Sequence, residues 1–184
     1  MKKIVLLLIL ACFSCDSNQE FRTVTIANKY TIDLPDSMEK TENLNGDASL
    51  QYQNLMGELY TIVIDETKES FHNAIAINAI DIEPSLDGYS NVVRSNFTDK
   101  IKGLTISEEA ETKIHGKKAK LFSITGNVEG YDVFYRYAIV EGKSNYYQIM
   151  VWTEKSRKEN HKETINRIIN SFKEIDKHEK LYKS

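Results

Sequence analysis

Residues 104–153 constrain the fold more than any other part of the chain. Four segments rich in β-branched and aromatic residues follow one another, separated by His115-Gly116, Glu129-Gly130 and Glu141-Gly142-Lys143. Short glycine-bearing connections between strands make antiparallel neighbours. The predicted strands are residues 104–112, 118–128, 131–140 and 146–153. The third places Tyr131, Val133, Tyr135, Tyr137 and Ile139 on one face, and Phe134, Ala138 and Val140 on the other. A strand apolar on both faces is covered on both faces. The expected class is therefore α+β, an antiparallel sheet with helices on each side.

The remaining segments supply the covers. A first hairpin is expected from Thr23 to Leu34, stopped by Pro35, which has no N–H to give. Residues 36–47 read as a loop, with the turn dipeptide Asn45-Gly46. Leu59 to Ile64 is a further strand. Residues 67–84 fit both a helical and a strand period, and a helix over part of them is favoured. Leu86, Tyr89, Val93, Phe97 and Ile101 recur at three- and four-residue spacing, which predicts an amphipathic helix ended by Gly103 as its C-cap. A last helix is expected from Ser156, with Glu159 completing a capping box and Ile165, Ile168, Ile169 and Phe172 as its buried stripe.

Ahead of this domain stands a different kind of sequence. Met1-Lys2-Lys3 is followed by the uncharged run Ile4 to Phe13, then Ser14-Cys15, then a polar stretch from Asp16. A positive start, an apolar run and a small residue at the expected cleavage point make a secretory signal. As a helix the run is about 15 Å long against a bilayer core of about 30 Å, too short to span. It is similar to a bacterial lipoprotein signal, in which a cysteine is lipidated and becomes the new N-terminus. Cys15 is preferred because Ser14 precedes it and the polar run begins at once; Cys12, after Ala11, is the alternative. The expected layout is a signal peptide over residues 1–14, a lipidated N-terminus and tether over 15–22, one domain over 23–175 and a polar tail over 176–184. The expected location is the bacterial cell envelope, lipid-anchored and facing the periplasm or the cell surface.

Charge and composition narrow the partners. The formal net charge is -3, and loss of Lys2 and Lys3 with the signal takes it to -5. An acidic surface argues against nucleic acid, since phosphate binding needs a basic face. Cys12 and Cys15 are the chain's two cysteines, so the domain has no cysteine nucleophile, disulfide or cysteine metal site. His72, His115, His161 and His178 lack the helical spacing of a zinc pair, and no Gly-x-Ser-x-Gly elbow appears. No catalytic, metal or cofactor residue is assigned, and the domain is expected not to be an enzyme. Lys113, Lys117, Lys118 and Lys120 read as a solvated hairpin rim, and Glu108, Glu109 and Glu111 as water-facing strand positions. The best binding candidates are the aromatics Tyr135, Tyr137, Tyr147 and Trp152, on adjacent predicted strands, where Tyr and Trp suit a partner surface.

Two strings carry a resemblance. Tyr30-Thr-Ile-Asp-Leu-Pro35 resembles the opening of PsbP-like domains. Ser144-Asn-Tyr-Tyr-Gln-Ile-Met-Val-Trp-Thr153, followed by Ile165-Asn-Arg-Ile-Ile-Asn-Ser-Phe-Lys173, resembles their ending. That family includes an extrinsic photosystem II subunit, a Ran-binding nucleotide-release factor and bacterial lipoproteins of unassigned role. The resemblance implies a PsbP-like α/β/α sandwich over residues 23–175 and no functional residues, because the strings are core-packing patterns. The expected function is that of an anchored, non-catalytic binding or assembly accessory to an envelope protein. Two alternatives stay open: small-molecule or peptide binding through the aromatic sheet face, and a hydrolase with an unrecognised site.

Overall fold

The computed structural model describes residues 19–79, 81–97 and 101–175. Cys12, Cys15, the predicted signal and the tail from 176 lie outside the described residues. The chain runs β1 (Phe21–Ile26), β2 (Tyr30–Pro35), β3 (Glu39–Lys40), β4 (Leu50–Asn54), β5 (Leu59–Thr67), α1 (Lys68–Ile77) and α2 (Leu86–Ser95). Then come β6 (Lys102–Ile106), β7 (Ala110–Ile114), β8 (Lys117–Val128), β9 (Tyr131–Glu141) and β10 (Asn145–Glu154). A 3-10 turn at Lys155–Arg157, α3 (Lys162–Ser171) and β11 (Lys173–Glu174) complete it.

The main sheet has the order β3-β4-β5-β10-β9-β8-β6, and β7 also pairs with β8. Every pairing is antiparallel. Its two faces are both buried, as the composition of β9 requires. On one, α1 brings Phe71 and Ile75 and α2 brings Leu86, Tyr89 and Val93 over Phe122, Tyr137, Ile139 and Tyr146. On the other, Ile165, Ile168, Ile169 and Phe172 of α3 join Tyr30, Ile32 and Leu34 of β2 over Phe134, Ala138, Val140 and Ile149. Truncating any one of these isoleucines to Ala costs about 2–5 kcal/mol. The first hairpin thus does not extend the main sheet. It forms a separate three-stranded sheet, β1-β2-β11, in the same layer as α3.

The helical reading of residues 67–84 holds for α1, which Thr67 caps by accepting from Ser70 N–H at 3.0 Å. Three boundaries differ from expectation, each for a physical reason. The helix from Leu86 ends at Ser95 with Asn96 as C-cap, although Phe97 and Ile101 keep its period. Those two side chains reach the core from irregular backbone, Phe97 edge-on to Tyr137 at 5.6 Å and Ile101 buried. Gly103 lies inside β6 with φ +61, at the register shift between Lys102 and Thr105, and caps no helix. The predicted strand 104–112 is two strands, because the register against β8 changes by one residue between Ile106–Ile124 and Ala110–Leu121, with residues 107–109 outside the ladder. Ser156 caps nothing: Arg157 pairs with Glu58 at 2.7 Å and His161 Nε2 donates to the Gly57 carbonyl at 2.8 Å, so residues 155–161 are tied to the β4–β5 turn and α3 starts at Lys162.

Candidate functional site

The strongest concentration of charge lies where α2 crosses β8. On α2, Asp87, Ser90 and Arg94 are spaced three and four residues apart and so share one face. Lys120 of β8 is on the same sheet face as Phe122 and Ile124, pointing toward that helix. It is buried, at 7% exposure. Its Nζ lies 2.9 Å from Glu109 Oε1 and 3.5 Å from Glu111 Oε1, and also bonds Asp87 Oδ1. Glu109 in turn accepts from Ser90 Oγ and stands 4.0 Å from the Arg94 guanidinium. Arg94 sits 5.6 Å over the ring of Phe122.

Burial alone pulls an ammonium's pKa down; hydrogen bonds and charge from Asp87 and Glu109 more than reverse this, and Lys120 sits above the ordinary lysine range. It therefore stays protonated at neutral pH and has no free lone pair for nucleophilic work. Its role is to close the charge balance of the cluster. The expectations for this region are corrected accordingly. Lys120 is not on a solvated rim, and Glu109 does not face water, because each is the other's counter-ion. Lys113 and Lys118 do face water, and Lys117 pairs with Glu174 at 2.8 Å.

In front of Lys120 opens a cleft of about 610 Å³, lined among others by Leu86, Asp87, Thr112, Lys113 and Glu141. Glu141 is held by Lys68 at 2.8 Å. One wall is β7, which pairs only with β8 and so leaves its other edge open among the described residues. Asp87 and Glu111 keep 64% and 83% of their side chains exposed, and the lining residues Lys113 and Lys118 are exposed too, so both signs of charge reach the rim.

Behind the cleft a polar chain crosses the core. Tyr137 Oη donates to Gln148 Oε1 at 2.8 Å, Gln148 Nε2 to Tyr89 Oη at 2.7 Å, and Tyr89 Oη to Glu66 Oε2 at 3.1 Å. Tyr89 stacks on Tyr146 at 4.3 Å. Burial holds the phenols of Tyr89 and Tyr137 above their usual range. Both are hydrogen-bonded to satisfaction, which lets a polar chain persist in an apolar layer.

The four aromatics singled out in the sequence part company. Tyr137 is 3% exposed and stacked on Phe122 at 5.0 Å. Tyr147 is on the opposite face, packed against Phe172 at 5.0 Å, and donates to Glu174 at 3.2 Å. That carboxylate approaches so closely that a Cβ on Gly142 would lie 2.4 Å from it. Tyr135 and Trp152 do come together, at 5.8 Å, both half-buried. Tyr60 was not singled out. It stacks on Trp152 at 5.3 Å, the pair standing directly across β5 and β10. Its signal in the sequence was the alternation of Leu59 to Ile64, which puts Tyr60 on the face of Ile62.

The histidines stay apart. His72 packs beside Phe71, His115 occupies the β7–β8 turn with φ 45, and His161 bonds Gly57; His178 lies outside the described residues. Among the described residues no three His, Cys, Asp or Glu side chains converge on a possible metal position.

No protein-family model matches the sequence, and comparison with curated proteins finds no match. Solved structures do match. Cyanobacterial PsbP (CyanoP) from Synechocystis sp. PCC 6803 aligns with TM-score 0.59 at 9% identity, over 90% of this chain and 99% of its own. PA94, a Pseudomonas aeruginosa protein of unknown function, aligns with TM-score 0.51 at 13% identity, over 82% and 94%. A Bacteroides thetaiotaomicron protein aligns with TM-score 0.51 at 11% identity, over 81% of this chain but 46% of its own. At these identities the likeness speaks to architecture alone: the protein has a PsbP-like α+β fold.

Proposed function

We propose that the chain is a lipid-anchored envelope protein whose PsbP-like domain is a non-catalytic binding or assembly accessory, receiving a polar segment of a partner protein in the Lys120 cleft. One observation carries the reading. The cleft's buried charges are committed to one another, while its rim offers both signs of charge beside an open strand edge. A floor whose charges are neutralised in place suits recognition, where a ligand meets a fixed surface. An open edge can accept an extended segment through main-chain hydrogen bonds. The test is site-specific photocrosslinking in cells from position 112. The reading expects one discrete adduct with an envelope protein, weakened at least several-fold by Lys113→Glu with Lys118→Glu. The same adduct pattern from exposed Asn170 on α3, or no adduct from the cleft, contradicts it.

A second reading rests on a different observation, the half-exposed row Tyr60–Trp152–Tyr135. Such a row can seat an aromatic ligand or a peptide. Trp152 is the chain's single tryptophan, so its emission reports the row directly. A saturable change in that emission on titration with a candidate ligand supports this reading; a flat response across candidates that the cleft does bind removes it.

A further inference from the structure

We infer that one end of the sheet is a membrane-docking surface, in which the β4–β5 and β8–β9 turns rest in the interface of an anionic bilayer, the one that holds the chain's own anchor. This rests on the anchoring reading and adds an orientation to it.

Three independent features meet at this end. The first is apolar. Leu55 and Met56 in the β4–β5 turn are 64% and 91% exposed, and Tyr131 at the β8–β9 turn is 73% exposed. The register puts both turns at the same edge of the sheet: Thr153 pairs with Leu59, Glu154 with Val133, and Tyr131 with Val128. Surface apolar tips clustered at one end mark an interaction site more than the same residues scattered.

The second feature is charge. Residues 155–167 carry five Lys or Arg against two Glu, in a chain of net charge -3. This segment is fastened beside the β4–β5 turn by the Arg157–Glu58 and His161–Gly57 contacts. Lys155 and Lys162 are exposed and make no ion pair among the described residues. Apolar tips flanked by lysines suit an interface with anionic headgroups, the tips entering the acyl boundary and the ammonium groups staying at headgroup level.

The third feature is the path of the chain. Thr164, in the first turn of α3, donates to Gln19 Oε1 at 2.7 Å, and Arg167 lies 3.8 Å over Phe21. Cys15 is four residues before Gln19, which bounds its distance to about 14 Å. A lipid on Cys15 therefore keeps the bilayer surface near the first turn of α3, the place where the apolar tips and the lysines already lie. The β9 strand then rises from Tyr131 to Glu141 through roughly 33 Å, so the Lys120 cleft at its far end points away from the membrane.

The test uses the full lipidated chain in vesicles of phosphatidylethanolamine and phosphatidylglycerol, with an environment-sensitive fluorophore on Met56→Cys or, as control, on Ile77→Cys. Both positions are exposed, and Ile77 is on α1, which starts from the opposite end of β5, where Thr67 pairs with Asn145. The parent chain taken through the same labelling sets the background. Doxyl-labelled lipid is expected to quench the probe at 56 at least two-fold more than the probe at 77. Lys155→Glu with Lys162→Glu is expected to remove most of that difference. Equal quenching at 56 and 77, in protein that floats with the vesicles, overturns the docking and leaves the anchor standing. Protein that carries no lipid and does not float strikes the anchoring reading, and the docking falls with it.

Discussion

Lys120 of β8 and Glu109 of the β6–β7 break face each other across 2.9 Å, with side chains only 9% and 15% exposed. Each is the reason the other can be buried. An ammonium or carboxylate taken from water costs several kcal/mol, and only a well-placed partner offsets it. The pairing of Glu111 with Lys120 in the β7–β8 ladder puts Glu109, two residues earlier, on the same side as Lys120.

Lys120→Met is expected to destabilise the fold by about 3–5 kcal/mol, because it takes the nearer cation from buried Glu109 and leaves only Arg94, at 4.0 Å. The double variant Lys120→Met with Glu109→Met is expected to recover a large part of that loss, which urea unfolding of the four chains measures as a coupling. The lysine pKa is raised, so the native state holds this proton more tightly than the unfolded chain does. The contribution is complete below the ordinary lysine pKa of about 10.4 and is lost as pH rises beyond it.

A second alkaline effect comes from tyrosine. Burial raises the phenols of Tyr30, Tyr89, Tyr135, Tyr137, Tyr146 and Tyr147 above the usual value near 10. The neutral phenol is the form that the core accepts, so the native state again binds protons more tightly. Stability from these groups is complete below about pH 10 and falls as pH rises through it. Phenolate absorbance from these six is expected to appear only with the loss of the circular dichroism signal. A single smooth titration in folded protein would contradict this.

Tyr60→Ala is expected to cost about 0.5–1.5 kcal/mol beyond the area it uncovers, through loss of the stack on Trp152. The emission of Trp152 is expected to shift red as water reaches the exposed ring face. Tyr147→Ala, on the other side of the sheet, is expected to lower stability while leaving that emission maximum in place.

The sheet was legible in the sequence because its glycine turns and its doubly apolar β9 allow few other arrangements. The stripes of α2 and α3 were legible for the same reason: Leu86, Tyr89 and Val93, or Ile165, Ile168 and Ile169, suit one helical face. The boundaries failed where a tertiary contact imitates or overrides a local pattern. Phe97 and Ile101 keep the helical period without being helical, and Ser156 with Glu159 has the spacing of a capping box while Arg157 is drawn away by Glu58. The candidate site was illegible because charge alone does not reveal its direction. Lys118 and Lys120 stand two residues apart on the same face of β8, and it is the crossing of α2, with Asp87 on Lys120, that covers one and leaves the other in water.

The account turns on the lipid anchor, and mass spectrometry of the N-terminal peptide from the membrane-extracted protein tests it most directly. The predicted result is a chain that begins at Cys15 and carries a thioether-linked diacylglyceryl group, lost with membrane association in Cys15→Ala. Lipid on Cys12 would keep an anchor but lengthen the reach to Gln19 to about 25 Å, loosening the orientation. A mature chain with no lipid on either cysteine would contradict the account.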